Sequence, residues 1–272
     1  MKRCCCDVAL RFVLVAGLSA ALLIAGCATA PACAWKGRRI AVFGDSISDA
    51  HIKHWKHWWK WVGEELDAKM SVYAVNGRQW NDVPRQVDAM TKDDGAGVDA
   101  ILIFMGTNDF NSSVPLGEWW DEGEMSVNRD GQNVIAKRRL PSHDASTVRG
   151  RINLALEKIK REYPRCQVVL MTPIRRGFFT CSPTNVQPED AYANKLGLYI
   201  GDYARVVKEA GEIWSVPVID TYSESGLLLS MPSYTDCCNR ADTDRLHLST
   251  EGGRRLALTV SARLKSFPPT FR

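Results

Sequence analysis

Five residues spread along the chain carry the groups that ester chemistry needs: Ser46, Gly77, Asn108, Asp244 and His247. A serine hydroxyl is a weak nucleophile until a base takes its proton. His247 is the candidate base. Asp244, three residues earlier, can hold the other imidazole nitrogen and fix its tautomer. On a turn of helix, side chains at i and i+3 meet, so this spacing suits the contact. The tetrahedral intermediate of acyl transfer also needs donors at its oxyanion. The backbone N–H groups of Ser46 and Gly77 and the side-chain amide of Asn108 can supply them. Each signal alone has a plainer reading. Ser46 could cap a following helix, Gly77 could be a turn glycine, and Asn108-Asp109 could be a helix cap or turn.

The elements that must position these residues tip the balance. Short apolar runs at 40–43, 71–75, 100–105, 168–171 and 216–219 read as buried strands. The first three end at Gly44-Asp45-Ser46, at Asn76-Gly77 and at Gly106-Thr107-Asn108-Asp109. Helical patterns fall between the runs. Val148, Ile152, Ala155, Leu156 and Ile159 recur at three- and four-residue spacing and stop at Tyr163-Pro164, and residues 192–214 and 251–264 are similar. Alternating strands and helices imply right-handed crossovers and a parallel sheet covered on both faces. Such sheets bind ligands at the carboxyl ends of their strands, which puts Ser46, Gly77 and Asn108 on one rim.

Two stretches stand apart. A helix is predicted over 51–66, with Ile52, Trp55, Trp59, Val62 and Leu66 on one face at about 100° per residue. Trp58 and Trp61 then fall on its flank, where they could stack on a sugar. His51, His54 and His57 spread around that helix without an acidic neighbour, so no metal site is expected. Residues 110–145 are polar and rich in Gly, Asn and charge, and read as a functional or mobile loop.

At 272 residues and 45% hydrophobic, the chain can form one substantial core. A net charge of +4 without a basic stripe makes nucleic acid an unexpected partner. Lys2, Arg3 and Arg11 precede and flank an apolar stretch over 12–25, the layout of a secretory signal. Ile24-Ala25-Gly26-Cys27 resembles the lipobox of bacterial lipoproteins. That resemblance implies removal of 1–26 and lipidation of Cys27; 27–37 then reads as a short tether and, from chain length, 38–272 as a single domain with the polar insertion about 110–145. The lipobox also implies export and membrane anchoring, with the outer membrane favoured because Ala28 is no retention aspartate. The competing reading is ordinary cleavage after Ala28-Thr29-Ala30. An exported chain permits disulfides. Cys181 is expected to pair with Cys237 or Cys238, and Cys166 to be a buried free thiol. No Cys-x-x-Cys supports a structural zinc.

Gly44-Asp45-Ser46, Gly77, Gly106-Thr107-Asn108-Asp109 and Asp244-x-x-His247 together resemble the four blocks of the SGNH (GDSL-type) hydrolase family. The resemblance runs from Ile40 to the last helix. It implies an α/β fold, a three-layer α/β/α sandwich around a flavodoxin-like, parallel five-stranded sheet. It also implies esterase, lipase or carbohydrate deacylase activity without a cofactor. In these terms Ser46 is the nucleophile, His247 the base, Asp244 its orienter, and Ser46, Gly77 and Asn108 the oxyanion hole. Two departures are Ile47 where the family has leucine, and Val75-Asn76-Gly77-Arg78 without a longer glycine pattern. Asp242 is a rival to Asp244, but its spacing to His247 does not fit.

The favoured substrate is a short-acyl or O-acetyl ester on a carbohydrate. Trp80, Trp119, Trp120, Arg175 and Arg176 are expected at the rim as contacts. A lipid esterase or lysophospholipase is the alternative, kept open by Phe178-Phe179. A non-catalytic surface glycan-binding lipoprotein is the third reading, and the intact Ser46, Asp244 and His247 speak against it.

Overall fold

The structure, a computed structural model, describes residues 33–271 apart from Asp94 and Ala96. The first apolar run forms β1 (Arg39–Gly44), followed at a distance by α1 (Trp58–Leu66) and then β2 (Lys69–Val72). Next, α2 (Val83–Asp93) leads into β3 (Ala100–Phe104), and the short α3 (Thr107–Asn111) leaves its end. The polar insertion holds β4 (Trp120–Arg129) and β5 (Gln132–Pro141). After α4 (Val148–Glu162) and β6 (Gln167–Met171) comes a hairpin of β7 (Phe179–Ser182) and β8 (Asn185–Gln187). Finally α5 (Ile200–Trp214), β9 (Val218–Ile219) and α6 (Thr221–Glu224) precede β10 (Cys238–Arg240), β11 (Asp244–Leu248) and α7 (Thr250–Ser266).

The central sheet has the order β2-β1-β3-β6-β9, and every pair in it is parallel. All five residues of β3 are buried, so its continuous apolar run belongs to the middle strand. Side chains alternate across the sheet. Ile101 and Ile103 join a core with Val87 and Met90 of α2, Ile152 and Leu156 of α4 and Val206 of α5. Ala100, Leu102 and Phe104 join the opposite core with Trp58 and Val62 of α1 and Leu256 and Val260 of α7. The result is a three-layer α/β/α sandwich.

Two further sheets were not read from the sequence. One is antiparallel, of order β10-β11-β7-β8, and the other is the β4–β5 ribbon. The insertion is therefore an extended hairpin, not a loop. Its tip, Asp130-Gly131, has φ of 53° and 82°. Asp-Gly with positive φ at both positions is a signature of tight hairpin turns.

Other expectations also need correction. α1 begins at Trp58 and not at 51, because residues 50–57 take turns and bends. Trp58 is consequently not a flank residue. It is buried, and its Nε1 donates to Ser48 Oγ at 3.0 Å. Trp61 is half-buried with Lys56 Nζ 3.4 Å from its ring centre. The helix expected from 192 starts at Ile200. The part of the expected tether that is described is not free of the fold. Trp35 is 1% exposed, donates from Nε1 to Leu264 O at 2.9 Å, and packs edge-on against Phe271 at 4.9 Å. The proposed signal and Cys27 lie outside the described residues. The five described cysteines are all free thiols, so the expected Cys181 pairing is not formed. Cys181 is exposed on β7, whereas Cys237 and Cys238 are buried in the core shared by α1 and α7. Cys166 is free but only half-buried, and burial pushes its thiol up to about 12.

Candidate active site

β1 delivers Ser46 to the rim on a tight turn. Gly44 ends the strand with both backbone groups held by the Gln86 amide, at 3.0 Å and 2.8 Å. A Cβ at Gly44 would lie 3.2 Å from Phe104 O and 3.1 Å from Ser48 Cβ, so the glycine permits the close approach of turn and β3. Within the turn, Asp45 O accepts from Ser48 N at 3.0 Å and Asp45 Oδ1 from Ile47 N at 3.0 Å. Ser46 therefore does not sit at a helix amino terminus. Its turn is instead pinned by Trp58 and by Trp59, whose Nε1 donates to Ser48 O at 2.9 Å.

His247 and Asp244 lie on β11, not on a helical turn. The Asp244 side chain folds back along the strand, and Oδ1 accepts from the backbone N–H of Leu246 and of His247 at 3.2 and 3.0 Å. This local turn is what lets i and i+3 meet on an extended chain. His247 Nδ1 stands 3.0 and 2.9 Å from the two carboxylate oxygens, and Nε2 stands 2.8 Å from Ser46 Oγ. With Nδ1–H given to the carboxylate, Nε2 is left to accept the serine proton. Burial opposes ionisation of Asp244, but the bonds from His247 and from Asn239 Nδ2 at 2.8 Å outweigh it and hold the carboxyl below its usual range. Two aromatic rings flank the imidazole. Phe179 meets it edge-on at 5.2 Å, and the half-buried Trp55 stacks at 6.2 Å.

The loop carrying Gly77 and the helix carrying Asn108 are knitted together. Gly77 has φ of +78°, a conformation that favours glycine. Asp49 Oδ2 accepts from Asn76 N at 2.9 Å and so ties this loop to the Ser46 turn. Asn108 Nδ2 donates to Arg78 O at 3.0 Å and, at 3.3 Å, to Asp45 Oδ2. Asp109 accepts from Trp80 N at 3.1 Å and from Arg151 Nη1 at 2.9 Å, and Arg151 also reaches Gln79 Oε1 at 2.8 Å. Burial pushes both Asp45 and Asp109 up to about 6, the Arg151 contact notwithstanding. Ser46, His247 and Asp244 are thus joined by direct hydrogen bonds. Gly77 and Asn108 are placed beside that turn through Asp49 and Asp45.

The sequence over residues 42–255 matches the GDSL-like lipase/acylhydrolase family. The chain belongs to this family. Solved structures agree on the SGNH hydrolase fold. A Lactobacillus plantarum protein superposes with a TM-score of 0.67 at 20% identity, over 86% of this chain and 99% of its own. For a Chitinophaga pinensis protein the values are 0.61, 20%, 82% and 96%. The acetyl xylan esterase AlAXEase gives 0.50, 17%, 82% and 98%. None of the curated proteins matches.

Most of the side chains expected to contact substrate in this GDSL-like acylhydrolase lie elsewhere. Trp80 is fully buried. Trp119 is buried in the same core and donates from Nε1 to Glu209 at 2.8 Å. Trp120 packs half-buried against that core at the root of the ribbon. Arg176 is 0% exposed. Arg175 alone lines a described cavity, of about 370 Å³, where its guanidinium lies 4.9 Å from the Tyr222 ring. Closeness in sequence to a motif or to a strand end, which drew these residues to the rim, cannot tell a buried tryptophan from a stacking one. Trp55 and Phe179, assigned to other roles by the sequence, are the aromatics beside His247. His51, read as lacking an acidic neighbour, meets Asp49 at 2.9 Å. Asn239 and Arg151 carry no sequence signal, whereas Asp49 and Asp109 stand within or beside the motifs.

Proposed function

We propose that the protein is a serine esterase that removes a short acyl group, in particular O-acetyl, from a carbohydrate through an acyl-enzyme intermediate. The observation that carries this reading is the 2.8 Å bond from Ser46 Oγ to His247 Nε2, backed by Asp244 on Nδ1. Ser46 Oγ adds to the ester carbonyl as its proton passes to His247 Nε2. Negative charge on the former carbonyl oxygen is met by the N–H groups of Ser46 and Gly77 and by the Asn108 amide. Of the two Asn108 N–H groups, the one on the long 3.3 Å bond to Asp45 is the weaker held and turns to the oxyanion. Collapse expels the alcohol, which takes the proton back from His247. Water then repeats the sequence on the acyl-serine, releasing the acid and restoring Ser46.

Support for a carbohydrate substrate comes from Trp55, a half-buried ring beside the base that can stack on a sugar face. The fold likeness to an acetyl xylan esterase is in keeping with this reading. Hydrolysis of p-nitrophenyl acetate by the protein and by its Ser46→Ala variant tests the assignment. Equal rates, or none from either on a panel of esters, would sink it. A strong preference for octanoyl over acetyl esters turns the reading to a lipid esterase, and a panel of acetylated polysaccharides identifies the alcohol. Binding to those polysaccharides without hydrolysis is the outcome for a non-catalytic surface protein.

The proposal extends to location. Cys27 is lipidated and anchors the exported protein at a membrane, the outer one in a two-membrane cell. Mass spectrometry of the mature amino terminus checks this, and an unmodified start at Pro31 excludes it.

A further inference from the structure

Arg176 has no place in the chemistry above, yet its guanidinium is wholly withdrawn from water. Its partners among the described residues are all neutral. Nη1 donates to Asn111 Oδ1 at 2.5 Å, Nη2 to Gln187 Oε1 at 2.9 Å, and Nε to Gly177 O at 3.4 Å. Asn111 Nδ2 donates to the same Gln187 oxygen at 2.8 Å and closes a triangle. A buried cation held only by dipoles is expensive. Burial brings Arg176 down to about 10, opposed at longer range by Asp190, Asp244 and Asp45.

What the triangle joins gives the cost a purpose. Asn111 is the last residue of α3, one turn beyond Asn108. Gln187 is the last residue of β8, and its register partner on β7 is Phe179. Phe179 is in turn the register partner of Asp244 and lies edge-on to His247. The oxyanion donor and the base thus stand on separate elements. Asn108 belongs to the central layer, and the Asp244–His247 pair to the small antiparallel sheet. We infer that Arg176 is a positioning residue whose planar fork locks α3 to the β11-β7-β8 edge and so sets the spacing between the Asn108 amide and the Asp244–His247 pair. The inference rests on the esterase reading. A fork is needed because a lysine offers one ammonium and cannot span two acceptors in fixed geometry.

The test uses kcat and KM on p-nitrophenyl acetate, together with the rate at which a fluorophosphonate labels Ser46. Arg176→Met and Arg176→Lys are both expected to lower kcat and the labelling rate by about 10- to 100-fold, the scale of a misplacement near 1 Å. KM changes by less than about threefold, because binding groups are untouched. Lysine does not rescue. Full rescue by lysine would assign the effect to charge and overturn the positioning role, as would unchanged kcat in either folded variant. If both Arg176 variants fail to fold, Gln187→Ala and Asn111→Ala decide. Each should lower kcat by about three- to tenfold, and the double variant should lose less than the product of the two, as expected of one network. Multiplicative or absent effects overturn the inference. A wild-type protein that neither hydrolyses esters nor is labelled brings down the esterase reading and this inference with it. An active wild type with indifferent variants brings down only the inference.

Discussion

Two antiparallel hairpins branch from the parallel sheet, and they are built on opposite terms. The β7–β8 hairpin is only four and three residues long, yet each strand is stitched to the site, β7 through Phe179 on Asp244 and β8 through Gln187 on Arg176 and Asn111. The β4–β5 ribbon keeps a continuous ladder from Trp120↔Pro141 to Arg129↔Gln132, and its strands are mostly exposed. Beyond the root its polar bonds stay within the ribbon, as in the Glu122–Arg139 ion pair at 3.1 Å and the Gly131 N–H donating to Asn128 Oδ1 at 3.2 Å. Length of ladder is therefore a poor guide to what a strand does. The cross-links to elements that carry the chemistry are the better one.

The contrast can be pressed experimentally, starting where the largest loss belongs. His247→Ala is expected to lower kcat on p-nitrophenyl acetate by about 10⁴-fold or more, since the triad acts as a unit. A loss below tenfold would break the claim that the stitched edge carries the base. Asn108→Ala should follow with about a 10²- to 10³-fold fall in kcat at little-changed KM, the usual scale for one oxyanion donor. A rise in KM alone would move Asn108 from oxyanion to substrate binding.

Stability supplies the next measure. Burial raises Asp45 from 3.8 to about 6 in the folded protein, so between about pH 4 and 6 the folded chain binds a proton that the unfolded chain releases. Stability from this group is therefore highest below that window and falls as pH rises through it, by an amount on the order of 3 kcal/mol. Urea unfolding of wild type and Asp45→Asn across pH 4 to 7 reads this directly. The variant should lose the Asp45 share of the decline and keep the share from Asp109, which burial raises alike, so the gap between the two proteins should change across this window, and a constant difference would refute it. The smallest effect belongs to the ribbon. Joining Asp121 to Leu140 through Asn-Gly should leave kcat within about twofold, because a two-residue turn closes the shortened ladder. A tenfold loss would show that the ribbon reaches the site after all.

How legible the molecule was follows the same division. Strands buried on both faces announce themselves as apolar runs, so the central sheet could be read from residues such as 100–104 with no structure in hand. Short spacings and strand ends are local facts, so Ser46 and Asn108 could be picked out as candidates at strand ends and Asp244-x-x-His247 by its spacing, and the fold then joins Ser46, His247 and Asp244 by hydrogen bonds. Local pattern failed where tertiary contacts decided. The stretch ahead of Trp58 has helical periodicity, but Asp49 draws His51 and the Asn76 backbone to itself and leaves Trp55 stacked on His247. Asp244 meets His247 on a strand because its carboxylate captures two backbone N–H groups, which no i, i+3 rule for helices describes. Arg176 carried the charge of a surface residue and none of the signs of burial, since its partners Asn111 and Gln187 are distant in sequence. Asp130-Gly131, by contrast, is a local hairpin signal, carried by two residues alone.

The placement of Trp35 has a bearing on how β1 is held. It sits against Leu264 and Phe271 just ahead of Arg39, where β1 begins, while Ser46 follows the other end of that strand. Six residues of strand separate those ends by roughly 20 Å. Trp35 thus packs at the pole of the sheet opposite the Ser46 turn. The contacts that fasten the first described residues to α7 and Phe271 are separate from those that pin the Ser46 turn, so the two ends of β1 are held independently.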